Sequence, residues 1–117
     1  MHLVALNAIL NELQAHLQSR EIQYWRDKRK HEIDLILARR GGSPIAIECK
    51  WSLGEFDAVN LQAFGKQYPR AQFYVVAHDV ERAFVRHYNG LAVKFVGLPE
   101  LVEEILNSQK PQKKDAR

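Results

Sequence analysis

Cysteine is nearly absent from this 117-residue sequence: Cys49 stands alone. No internal disulfide can form, and no Cys or His pairs fall at zinc-finger spacing, so a structural zinc site is not expected. Long apolar runs are missing as well. None approaches the roughly 20 residues that span a bilayer, and the start lacks the charged and apolar regions of a secretory signal. The expectation is a cytoplasmic protein with no membrane partner. Repeats and internal linkers are lacking too. At 46% hydrophobic and 26% charged residues, the composition favours neither disorder nor a fibrous array.

The length suits one compact domain around a single core, here placed at 1–107 and followed by a basic, frayed tail at 108–117. Net charge is +3, which permits nucleic-acid binding without demanding it. Its distribution says more: "RDKRKH" at 26–31 puts Arg26, Lys28, Arg29 and Lys30 in one short connection. Such a run either contacts phosphates or is a solvated loop.

Leu3, Leu6, Leu10, Leu13 and Leu17 recur at three and four residues and predict a helix over 3–18. "IQYWRD" at 22–27 reads as a strand, and two more strands are expected near 32–39 and 44–51, joined by a glycine-containing turn. A helix over about 54–68 should turn Phe56, Val59, Ala63 and Phe64 to the sheet, ending where Tyr68 meets Pro69. "AQFYVVAH" at 71–78 is apolar almost throughout, the pattern of a central strand covered on both faces. Asn89-Gly90 centres a hairpin over 83–96. A last helix should begin near Pro99 and use Leu101, Val102, Ile105 and Leu106. The expected class is α/β, a mixed central sheet flanked by helices.

The hairpin "HEIDLILARRGGSPIAIECKWS" at 31–52 holds Asp34, Glu48 and Lys50 among aliphatic residues. Side chains alternate faces along a strand. The odd set, Ile33, Leu35, Leu37, Ile45, Ile47 and Cys49, is wholly apolar, so the charges should gather on the face opposite the core. For odd to meet odd across an antiparallel pair, opposed numbers must sum to an even value, which calls for an odd-length loop or a bulge around Gly41-Gly42-Ser43. Asp34 and Glu48 then lie opposite or diagonal, with Cβ atoms roughly 5–8 Å apart. Two carboxylates that close repel unless a proton or a cation lies between them. Mg²⁺ binds through one or two carboxylates and keeps waters or phosphate oxygens elsewhere in its shell. Lys50 beside it could orient an attacking water, which meets the needs of phosphodiester hydrolysis. The competing reading is a strand face on which Glu32 or Glu48 merely pairs with Lys50. Cys49, among isoleucines, reads as a packed core residue rather than a nucleophile.

The order "YWRD…HEIDLIL…PIAIECKWS" resembles the PD-(D/E)XK (restriction-endonuclease-like) nuclease superfamily, with Asp34 matching its acidic residue and Glu48-Cys49-Lys50 its Glu-x-Lys. It looks closer still to the carboxy-terminal nuclease-like domain of prokaryotic AAA-type ATPases, over roughly residues 3–97. The resemblance implies Mg²⁺ or Mn²⁺ held by Asp34, Glu48 and the backbone carbonyl of Cys49, with Lys50 as the catalytic lysine. Some relatives carry a glutamine on the helix after the hairpin, for which Gln62 or Gln67 could stand. Related domains also carry a glutamate near the start of the first helix, where this chain has Met1 or His2. Glu12 lies roughly 16 Å along that helix from Met1 and cannot replace it, so a two-carboxylate site is expected, completed by an upstream segment. No Gly-x-x-x-x-Gly-Lys-Ser/Thr sequence occurs in these residues, which excludes ATP hydrolysis by that route and suggests a standalone domain or part of a longer ATPase.

Two functions compete on this reading. One is a metal-dependent DNA nuclease, which as a small enzyme cutting two strands could act as a homodimer, with Arg26, Lys28, Arg29, Lys30 and Gln62 on the nucleic acid. The other is a weak or inactive module of the same fold that binds nucleic acid or a partner protein.

Overall fold

The structure, a computed structural model, describes residues 22–38 and 42–109 together with Asn11, which is helical. Most of the helix expected over 3–18, with Met1, His2 and Glu12, lies outside the described residues, as does the tail beyond 109.

Six strands form one sheet: β1 (Ile22–Arg26), β2 (Glu32–Leu37), β3 (Ile45–Cys49), β4 (Gln72–Val76), β5 (Phe84–Tyr88) and β6 (Leu91–Val96), in the order β1-β2-β3-β4-β6-β5. β3, β4 and β6 run parallel, while β1–β2, β2–β3 and β5–β6 are antiparallel pairs. Helix α1 (Val59–Gln67) lies between β3 and β4 in the chain, and α2 (Leu98–Gln109) follows β6. The class is mixed α/β, as the element pattern implied. Among the described residues no helix is long and apolar enough to cross a membrane.

β3 and β4 are central and almost continuously buried, the pattern of strands covered on both faces. One core layer joins Leu35, Leu37, Ile45, Ile47 and Cys49 to Leu101 and Ile105 of α2. The other joins Ile36, Ala46, Phe73, Val75, Val93 and Phe95 to Leu61 and Phe64 of α1. The even-numbered face of the hairpin is therefore a second core, not a face opposite the core, because α1 and its aromatic neighbours cover it. The turn at Asn89 (φ 53°) and Gly90 (φ 86°) has the positive angles that this dipeptide accepts.

The helix after β3 starts later than the apolar spacing suggests. Leu53–Glu55 forms a 3₁₀ turn, and the Val59 N–H then donates to the Asp57 carboxylate at 2.9 Å. The later start rotates the buried stripe to Leu61 and Phe64 and leaves Val59 45% exposed. Phe56 lies before the helix and meets Tyr88 and Phe95 edge-on.

Phe64 is 2% exposed and packs against Trp25, Tyr68 and Phe73. Phe64→Ala should cost about 3–5 kcal/mol, the range for emptying a buried aromatic site. The midpoint of urea unfolding measures it; a loss below about 1 kcal/mol would mean that α1 is not packed this way.

Candidate functional site

Opposed residues of β2 and β3 are Leu35 and Ile47, Ile36 and Ala46, and Leu37 and Ile45. Each pair sums to 82, the even parity expected. The connection over 38–44 has odd length. The pairing ends at Leu35 and Ile47, one residue short of Asp34 and Glu48. Among the described residues an irregularity falls in the β1–β2 pairing: Gln23 opposes Ile36 and Trp25 opposes Ile33, so two steps on β1 match three on β2. The extra residue falls at Asp34-Leu35, a bulge that turns Ile33 into the core layer of Ile36 and frees Asp34 from the ladder.

Asp34 uses that freedom to reach β3, where its Oδ2 accepts the Cys49 N–H at 3.3 Å. Glu48 is 3% exposed, the sole buried charged residue among those described. Asn60 of α1 hydrogen-bonds its carboxyl and accepts the Glu32 N–H at Oδ1, 3.2 Å away. The other carboxyl oxygen, Glu48 Oε2, is buried with no hydrogen-bond partner among the described residues. Such an orphaned acceptor costs about 1–3 kcal/mol and is filled in most proteins by a water, a proton donor or an ion.

Electrostatics agree with the geometry. Burial pushes Glu48 up to about 7, against the pull of Lys50 and with a further push from Asp34 and Glu32. Burial also raises Asp34, opposed by the Cys49 N–H and by Lys50. Lys50 thus acts on both carboxyls, and its own N–H is tied to the Val76 carbonyl at 2.9 Å. Cys49 is fully buried and its thiol is pushed up to about 12, mainly by burial, which removes it as a nucleophile near neutral pH.

Fit to a divalent ion can be judged from these atoms. Two desolvated carboxyls and an unpartnered oxygen suit a hard cation. Among the described residues no group of three or more His, Cys, Asp or Glu side chains is arranged to hold a metal, so an ion at Asp34 and Glu48 would keep several waters. The helix-one glutamate position lies outside the described residues.

The remaining candidates separate. Lys28, Arg29 and Lys30 form an exposed turn built on Asp27, whose Oδ1 accepts the N–H of Arg29 (2.9 Å) and of His31 (2.8 Å). Arg26 is exposed at the end of β1. Gln62 lines a groove beside Arg29, and Gln67 a second depression beside Trp25 and Arg26. The helix amide that meets Glu48 is Asn60 instead. Asp57, marking the true helix start, was the signal that could have found it. Glu32 was also overlooked as part of the site: it accepts a hydrogen bond from the Tyr24 hydroxyl and acts on both Asp34 and Glu48.

Comparison with solved structures finds a similar chain in a half-complex from the tetradecameric assembly of Thermococcus gammatolerans McrB AAA+ hexamers with bound McrC, at 12% identity and a TM-score of 0.62. The match covers 92% of this chain and 33% of that one, so this chain spans about a third of its neighbour's length. At that identity the likeness is one of fold. No curated protein matches. A family model matches residues 4–99, which hold all six strands and α1, and the chain therefore belongs to the family described as a domain of unknown function, DUF4143.

Proposed function

We propose that this chain is a metal-dependent DNA nuclease domain of the PD-(D/E)XK type that works with an AAA-type ATPase. The observation that carries the reading is the buried Glu48 carboxyl, acted on by Asp34 of the adjacent strand, with one oxygen unpartnered among the described residues. Asp34, Glu48 and the Cys49 carbonyl would hold Mg²⁺ or Mn²⁺. When bound, such an ion supplies positive charge to the phosphate oxygens and acidifies a water. The chain's own groups do the rest. Asn60 orients the Glu48 carboxyl, and the Cys49 N–H fixes Asp34. Lys50 brings a cation to the same spot, where it can orient the attacking water and balance charge gathering on the phosphate. The exposed turn Lys28-Arg29-Lys30 suits a phosphate backbone. Support for the ATPase association comes from the solved neighbour, whose assembly contains McrB AAA+ hexamers and McrC.

One observation favours a second reading, a catalytically weak module that binds nucleic acid or a partner protein: only two carboxyls converge, and no three-ligand group exists among the described residues. Nicking of supercoiled DNA with Mn²⁺, with and without chelator, separates the two. Metal-dependent nicking supports the nuclease; inactivity on duplex, branched and single-stranded DNA supports the module.

A further inference from the structure

A groove of about 550 Å³ runs across α1 between the β1–β2 turn and the tip of the β5–β6 hairpin. Arg29 and His31 come to it from the turn, Gln62 and Lys66 from the helix, and Tyr88 and Asn89 from the hairpin. Among the described residues no acidic side chain lines it. Neither Arg29 nor Lys66 is engaged in an ion pair with a described residue; Asp27, two residues from Arg29, is held by His31 Nδ1 at 2.8 Å and by two backbone N–H groups. That contact also fixes the imidazole, while the edge-on contact with Phe56 steadies Tyr88. Two cations from distant parts of the sequence thus converge on one walled, acid-free depression.

Two elements connect the groove to the carboxylate site. His31 directly precedes Glu32, and Asn60, which touches Glu48, shares α1 with Lys66. Six residues of helix advance about 9 Å, which sets Lys66 further along α1 than the amide that meets Glu48. We infer that this groove is the track for the DNA sugar-phosphate backbone leading away from the bond at Asp34 and Glu48, with Arg29 and Lys66 as its phosphate contacts. The identity of the strand rests on the nuclease-fold reading above.

The test is binding of a fluorescent duplex oligonucleotide in EDTA, which needs no turnover, at a series of salt concentrations. Lys66→Ala and Arg29→Ala should each make the log–log salt slope shallower by about 0.9 and weaken binding roughly 3- to 10-fold at low salt. Lys66→Arg should keep the parent slope. Arg82→Ala, an exposed cation outside the groove, should change it by much less, and thermal melting checks that all variants fold. An unchanged slope in both alanine variants, or an equal change in Arg82→Ala, overturns the inference. So does displacement of the oligonucleotide by inorganic phosphate at an equal phosphate concentration, which would mark a small-anion site. Slope losses without nicking in Mn²⁺ would uphold the groove and overturn the nuclease; nicking with unchanged slopes would do the reverse.

Discussion

Asp34→Ala, Glu48→Ala and Lys50→Ala are each expected to lower Mn²⁺-dependent nicking by about 10²-fold or more, the largest functional effects in this chain. The three losses should differ in kind. Asp34 acts on Glu48 from the adjacent strand, and both are pushed toward their neutral forms by burial. Removing either leaves one carboxyl, so metal affinity should fall along with rate. Lys50 adds charge without being a metal ligand, so Lys50→Ala should retain Mn²⁺ binding while losing turnover. Calorimetric titration with Mn²⁺ beside the nicking assay separates these outcomes. The isosteric Asp34→Asn guards against a fold defect, since Asp34 also receives the Cys49 N–H. Parent-like activity in all three variants would remove these residues from the site. Loss of Mn²⁺ binding in Lys50→Ala equal to that in Glu48→Ala would assign the lysine a structural role.

How much of this was legible depends on the period of the signal. Alternation over two strands was enough to set odd against odd residues of β2 and β3, Leu35 with Ile47 and Leu37 with Ile45, because parity admits few registers when one face is wholly apolar. Asn89-Gly90 likewise announced its hairpin through backbone chemistry alone. Parity failed where the chain departs from period two: the bulge at Asp34-Leu35 moves Ile33 to the other face, and nothing local in "EIDLI" distinguishes a bulged from a regular strand. The second core was missed for a related reason. Ile36 and Ala46 looked like minor members of a charged face until α1 covered them, and that cover depends on a helix start set by one carboxylate, Asp57. The same phase error hid Asn60, since an amide contact between a helix and a strand has no signature in either segment alone.

Removing metal should make this protein less stable as pH rises, and Glu48 is the reason. Its carboxyl titrates near 4.5 when solvated and is pushed up to about 7 in the fold, first by desolvation. The folded state therefore holds the proton more tightly than the unfolded chain. The associated stability is fully present below pH 4.5 and is lost as pH climbs to about 7, amounting to about 3 kcal/mol once the folded group has ionised. Asp34, also raised by burial, adds in the same direction. In EDTA the melting temperature should fall by on the order of 10 °C between pH 5 and pH 8. Mn²⁺ at about 100 times its dissociation constant should recover about 2.7 kcal/mol at pH 8, because the ionised carboxyl is then the form that binds. Glu48→Gln isolates the cause: glutamine has the same shape, stays neutral, and offers a donor where protonated Glu48 carries its hydroxyl. This variant should melt higher than the parent at pH 8 in EDTA, lose most of the pH dependence, and gain almost nothing from Mn²⁺. A Glu48→Gln protein that melts below the parent at pH 8, or that Mn²⁺ stabilises equally, would show that the buried carboxyl is held by contacts other than a proton or a cation.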